Sequence, residues 1–161
     1  MNPFVESHKF VNCFNSSFVA ANEDIFNGDP ASDVISMTDW RDVVFFIQKG
    51  AGATGTATIT VESCDDVTPS TSTAVVFRYR IMTKATDTWG AWTDATTAGF
   101  TTTAGADDAY EIWAEASKLS GTDKYVRMQC TEVVDSPCDG GMGAILVNPR
   151  YAEDINRTVL T

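Results

Sequence analysis

Apolar and polar residues alternate with a period of two through most of this chain, and repeated short runs of that kind commit it to β structure. In residues 56–63, Ala57, Ile59 and Val61 fall on one side, while Thr56, Thr58, Thr60 and Glu62 fall on the other. Residues 74–82 place Val75, Phe77, Tyr79 and Ile81 opposite Arg78 and Arg80. Residues 108–116 set Tyr110, Ile112 and Ala114 against Glu111, Trp113 and Glu115. Residues 124–134 set Val126, Met128, Cys130 and Val134 against Arg127, Gln129 and Thr131. Two further runs, residues 43–48 and 142–147, are almost wholly apolar, which predicts strands covered on both faces. Clusters of Gly, Pro, Asp, Ser and Thr at residues 49–55, 64–73, 84–105, 119–123 and 135–141 separate these runs as turns and loops. The pattern predicts an all-β fold, an antiparallel β-sandwich or jelly roll.

The first 38 residues read differently. Phe10, Phe14 and Phe18 recur at helical spacing, yet Asn12, Asn15, Ser16 and Ser17 between them are poor helix formers. The segment is therefore either a short amphipathic helix or an irregular arm whose aromatics dock on a neighbour, and cover for the domain's own core is the plainer alternative. The organisation that follows is an N-terminal arm or partly helical extension over residues 1–38, a sandwich over 39–152 and a tail over 153–161.

Charge narrows the partners. Twenty-two acidic residues face eleven basic ones, a formal net charge of -11, with no basic block. Nucleic acid and anionic membrane surfaces both attract clustered Lys and Arg, so neither fits. No run approaches the apolar length of a bilayer span, and residues 1–10 carry Glu6 and Lys9 where a secretory signal is apolar; a cytosolic product is expected. Cys13, Cys64, Cys130 and Cys138 match no metal-ligand spacing, and free buried thiols are expected of them.

Motifs that carry chemistry are scarce. Residues 50–55 spell G-x-G-x-x-G, but an alternating β-branched run follows where a dinucleotide site needs a helix, so these glycines read as a loop between two antiparallel strands. The acid pairs Asp65-Asp66 and Asp107-Asp108 lack calcium-loop spacing, and neighbouring carboxylates in a strand point to opposite faces. The only histidine, His8, would have to serve any Ser-His or Cys-His pair. No catalytic residue, cofactor or metal ligand is assigned. Trp89-Gly90-Ala91-Trp92 forms the most unusual loop: its rings suit core cover first, a protein contact second and a sugar face third. Phe10, Phe14, Phe18, Trp89 and Trp92 are the candidate protein-interface residues.

Two stretches carry a resemblance. One runs from Phe45-Phe46-Ile47-Gln48-Lys49-Gly50 through Thr56-Ala57-Thr58-Ile59-Thr60-Val61-Glu62-Ser63-Cys64-Asp65-Asp66 to Phe77-Arg78-Tyr79-Arg80. The other joins Tyr125-Val126-Arg127, Thr131-Glu132-Val133-Val134-Asp135-Ser136-Pro137 and Pro149-Arg150-Tyr151-Ala152. Together, over residues 40–152, they resemble small capsid-associated structural proteins of tailed bacteriophages, most of all the head decoration or cement proteins. Cys138-Asp139-Gly140-Gly141 departs from the more apolar approach to the last strand that the resemblance would suggest. The resemblance implies a non-enzymatic virion protein on the outer capsid surface, assembled in the host cytoplasm, with the major capsid protein as partner and a homotrimer as the favoured oligomer. A tail, neck or baseplate component and a carbohydrate- or receptor-binding β-sandwich module are the alternatives.

Overall fold

The computed structural model describes residues 7–14, 18–19, 24–50, 54–105, 108–151 and 159. In chain order the strands are β1 (His8–Val11), β2 (Phe18–Val19), β3 (Ile35–Ser36), β4 (Trp40–Lys49), β5 (Thr56–Cys64), β6 (Ser72–Val75) and β7 (Phe77–Thr83). They continue as β8 (Thr88–Trp89), β9 (Thr93–Ala95), β10 (Phe100–Thr101), β11 (Ala109–Glu115), β12 (Tyr125–Val134) and β13 (Gly140–Pro149). Two antiparallel sheets pack face to face, which makes the fold an all-β sandwich. The eight-stranded sheet runs β1-β13-β4-β11-β7-β8, with β2 added beside β13 and β9 beside β7. The five-stranded sheet runs β10-β5-β12-β3, with β6 beside β5.

Alternation explains the core. Paired residues of an antiparallel sheet point to the same side, so Tyr110, Ile47 and Met142 make one inward row. Ile112, Phe45 and Ala144 make the next, and Ala114, Val43 and Leu146 the third. Ala57, Ile59 and Val61 of β5 meet them from the other sheet together with Val126, Met128 and Cys130 of β12, all buried. At the end of β4 the same alternation turns Lys49 inward. Its stem is buried and its Nζ donates to the Thr103 carbonyl at 2.6 Å, which satisfies one of the three donors of the ammonium group.

The structure departs from the sequence expectations in several places. The apolar runs of β4 and β13 are covered on their inner face only. Val44, Phe46, Ile145 and Val147 on the opposite face stay half-buried. Val134 does not join Val126 and Cys130 inside: a register shift between Glu132 and Val134 interrupts the alternation, and Val134 is exposed. The run at residues 74–82 is not one strand, because β6 pairs with β5 while β7 pairs with β11, so the chain changes sheets at Val76. The glycines of residues 50–55 do not close a hairpin either, since β4 and β5 belong to different sheets. Three members of that motif, residues 51–53, lie outside the described residues.

The N-terminal segment is part of the sandwich. Residues 8–11 form a strand paired with β13, Phe10 opposite Ile145, so the helical spacing of the phenylalanines makes no helix here. Strand pairing wins because the poor helix formers between them give a helix nothing to offset its nucleation. Beyond β1, Cys13, Phe14, Ile25, Phe26, Ile35 and Met37 are all buried in the core. The boundary expected after residue 38 therefore does not separate an arm from a core. Of the tail, Val159 is also buried, and its carbonyl accepts from the Ser36 amide at 2.9 Å; the rest of 152–161 lies outside the described residues.

These contacts set the cost of truncation. Removing residues 1–37 would strip β1 from its sheet and open the core under Phe14 and Phe26. The truncated chain is expected to show no cooperative thermal transition by circular dichroism, and retention of one would make this segment dispensable. Phe26→Ala in the full chain should lower the unfolding free energy by about 3–5 kcal/mol in urea titrations.

Candidate interface on the eight-stranded sheet

The outer face of the eight-stranded sheet follows from the other half of the alternation. Cross-strand pairing lines up Phe10, Ile145, Val44, Trp113, Arg78 and Asp94 in one row across β1, β13, β4, β11, β7 and β9. The adjacent row carries Gly143, Phe46, Glu111 and Arg80. Gly143 leaves room there for the Phe46 ring, whose outer edge would have to shift if a Cβ stood at that position. Phe10, 63% exposed, tilts its ring against Phe46 at 5.8 Å between centroids.

At the other side of this face Arg80 organises the aromatics. Its guanidinium lies 4.9 Å from the Trp89 ring centre and 4.6 Å from that of Trp92, and its Nε donates to Glu111 Oε2 at 2.6 Å. Trp92 meets Trp113 edge-on at 5.5 Å. Each cation–π contact stabilises by roughly 0.5–1 kcal/mol at exposed positions, so two of them and an ion pair hold both Trp rings in place. The tryptophan loop therefore does not cap the sandwich core, the first of the readings given above. Its rings lie on the outer face of the sheet because β8 pairs with β7, setting Trp89 opposite Met82, on the side that carries Arg80.

Two grooves flank Trp113 and Glu115 on this face. The larger, about 820 Å³, is lined by Arg41, Asp42, Ser117, Asn148, Pro149 and Arg150 as well. The smaller, about 470 Å³, adds Val76, Phe77, Arg78, Asp94, Ala95, Thr96 and Lys118. Asn148 takes a left-handed backbone, φ 57°, which asparagine tolerates better than most residues, and its Nδ2 donates to Asp42 Oδ2 at 2.6 Å.

Of the five residues singled out by sequence, the structure brings three onto this face: Phe10, Trp89 and Trp92. Phe14 is removed from any interface, being buried in the core. Phe18 pairs through its backbone with Gly141, and its side chain lies outside the described residues. Trp113, Phe46, Arg80 and Arg150 were missed. The signal for Trp113 was present, a tryptophan between two glutamates on the polar side of an otherwise regular strand.

Groups able to do chemistry lie elsewhere or are muted. The four cysteines are free and buried. Burial pushes the thiols of Cys13 and Cys130 up to about 12 and those of Cys64 and Cys138 up to about 11, so they are protonated at neutral pH and weak nucleophiles. His8 Nδ1 lies 2.7 Å from Ser7 Oγ, a contact between chain neighbours at the start of the edge strand β1. At the C-terminal end of β12, Asp24, Glu132 and Asp135 each bring one carboxylate oxygen within 4.8 Å of the others. Among the described residues this is the one cluster with metal-ligand geometry. Asp24 Oδ2 and Glu132 Oε1 are sealed from solvent, and with both groups ionised neither atom has a hydrogen-bond partner among the described residues; a proton on Glu132 supplies one to Asp24. Burial first, then a hydrogen bond with Asp24 and the charges of Asp24, Asp135 and Asp29, push the Glu132 pKa up.

No family model matches the chain, and neither the curated proteins nor the solved structures include one similar to it.

The acid cluster generates a pH signature. A carboxyl whose pKa is higher in the folded than in the unfolded chain holds its proton more tightly when folded. Its contribution is complete below the unfolded value and is lost as pH rises through the folded one. Glu132→Gln removes that loss. By scanning calorimetry the variant should melt above the parent protein near pH 7, and the gap should close near pH 4. An equal shift at both pH values would assign the effect to packing.

Proposed function

We propose that this chain is a non-enzymatic assembly protein that packs through the outer face of its eight-stranded sheet, in the role of a capsid decoration protein bound to the major capsid protein. The observation that carries the reading is the group of aromatics on that face, Phe10, Phe46 and Trp113 from two adjacent cross-strand rows and Trp92 from the loop beside them, of which Phe10 is exposed and the others half-buried. Aromatics and arginine concentrate at the centres of protein interfaces, and large half-exposed apolar faces on folded domains are commonly contact surfaces.

Charge supports the same face. Arg41, Arg78, Arg80, Lys118 and Arg150 stand against Asp42, Asp94, Glu111 and Glu115, one positive charge in excess. Of eleven basic and twenty-two acidic residues in all, six and eighteen remain elsewhere, twelve negative charges in excess. Long-range repulsion therefore turns the rest of the molecule away from an acidic neighbour and leaves this face free to approach. The resemblance over residues 40–152 supplies the setting: the outer surface of a tailed-phage capsid, with a homotrimer at each site.

Quantitative mass spectrometry of purified particles tests this. A copy number in simple ratio to the major shell protein is expected. A few copies per particle would move the chain to the neck, tail or baseplate, and its absence would overturn the virion role. Phe10→Asp, at an exposed ring, should reduce occupancy about tenfold or more with the thermal midpoint little changed, since hot-spot aromatics contribute about 2 kcal/mol or more.

A further inference from the structure

Two arginines at the mouth of the larger groove stand apart from the other charges of the face. The Arg150 amide donates to the Asp39 carbonyl at 2.7 Å and its Nε to the Trp40 carbonyl at 3.2 Å, which fastens the residue beside Arg41. Among the described residues neither Arg41 nor Arg150 has a carboxylate partner, whereas Arg78 is paired with Asp94 and Arg80 with Glu111. The carboxylates lining the same groove are engaged by neutral donors instead: Asp42 by Asn148, and Glu115 by the Ser117 hydroxyl at 3.0 Å. A third donor is also unused. Trp113 Nε1 is sealed from solvent and donates to no acceptor.

We propose that this groove receives an acidic, partly apolar segment of a partner protein, its carboxylates pairing with Arg41 and Arg150 while an apolar side chain lies against Trp113. The inference rests on the assembly reading above and specifies the chemistry of the partner at that face. Guanidinium groups favour carboxylates through paired N–H donors. Phosphate fits less well, because it carries nearly twice the charge and would face Asp42 and Glu115 within the same groove. A polypeptide answers both carboxylates with its own N–H groups.

The test uses the full-length protein, uniformly labelled with nitrogen-15, and an acetylated, amidated octapeptide of alternating glutamate and leucine. Of the four indole N–H signals, that of Trp113 is expected to shift saturably. The variant R41E should bind about tenfold or more weakly with a melting temperature little changed, whereas R150E should weaken binding as much and also lower the melting temperature by a few degrees, because it removes the hydrogen bond to the Trp40 carbonyl. An octapeptide of alternating lysine and leucine should leave the signal in place. Absence of saturation by about 5 mM peptide, weaker than any specific contact of this kind, would overturn the proposal. So would equal saturation by inorganic phosphate, which would mark a small-anion site, or an equal response to the lysine peptide, which would mark apolar adhesion. A Trp113 shift that tracks protein concentration without peptide would identify a second copy as the occupant and likewise overturn it. Because the titration uses free protein, it stands or falls apart from the particle census: absence of the chain from particles removes the capsid role and leaves the peptide result intact.

Discussion

The packing of β4 against both its sheet neighbours and the opposing sheet is the constraint on which the rest of the molecule depends. As the strand between β13 and β11, it has both edges hydrogen-bonded, so its side chains decide what each face of the sheet does. Val43, Phe45 and Ile47 project inward and are fully buried against the five-stranded sheet. Burying side chains of this size stabilises by roughly 1.5–3 kcal/mol each, enough for one strand to anchor the sandwich. Val44 and Phe46 have no such option. A period of two sends them to the other face, and there the protein lays Phe46 across Gly143 and sets Phe10 against it.

That outer face is ordered by pair interactions across strands. Arg80 is held by Glu111 from β11 and by Trp89 and Trp92 from the segment after β7, so four side chains from three pieces of chain share one position. An ordered aromatic surface loses less side-chain freedom when something binds it, and preorganisation of this kind is what allows a modest area to give useful affinity. Sheet-borne residues also hold their relative positions better than residues on loops. The thiols, by contrast, are buried and protonated, and His8 lies on the edge strand β1.

Much of the architecture was legible in the alternation. The inward rows around Ile112, Val126 and Ile59 were readable directly, because a strand with one buried face must repeat every two residues. What escaped was anything set by pairing between distant strands. Phe10, Phe14 and Phe18 have helical spacing, yet Phe10 sits in a strand defined by Ile145 some 135 positions away, and no local pattern reports that. The change of sheet at Val76 was hidden because alternation continues unbroken through it. Trp89 and Trp92 were recognised as unusual, but their role depends on Arg80, which local reading assigned only to a polar face. Trp113 was read as part of that same polar face, and the structure gives the reason it is tolerated there: its neighbours across the sheet are Val44 on one side and Arg78 on the other.

The placement of charge completes the physical argument for an interface. A chain with net charge -11 resists its own association and that with acidic neighbours, and the resistance is strongest wherever its carboxylates are unneutralised. On the outer face the carboxylates are each engaged: Asp94 and Glu111 by arginines, Asp42 and Glu115 by neutral donors. The five basic residues of that face offset its four carboxylates, which removes the long-range penalty there, while the aromatics supply short-range attraction. Binding through any other surface would have to work against the field of the remaining acids. Approach is thus favoured in one orientation, which is what the proposed role on a symmetric shell would require, since contacts too weak to hold a single copy add up when every copy is presented the same way.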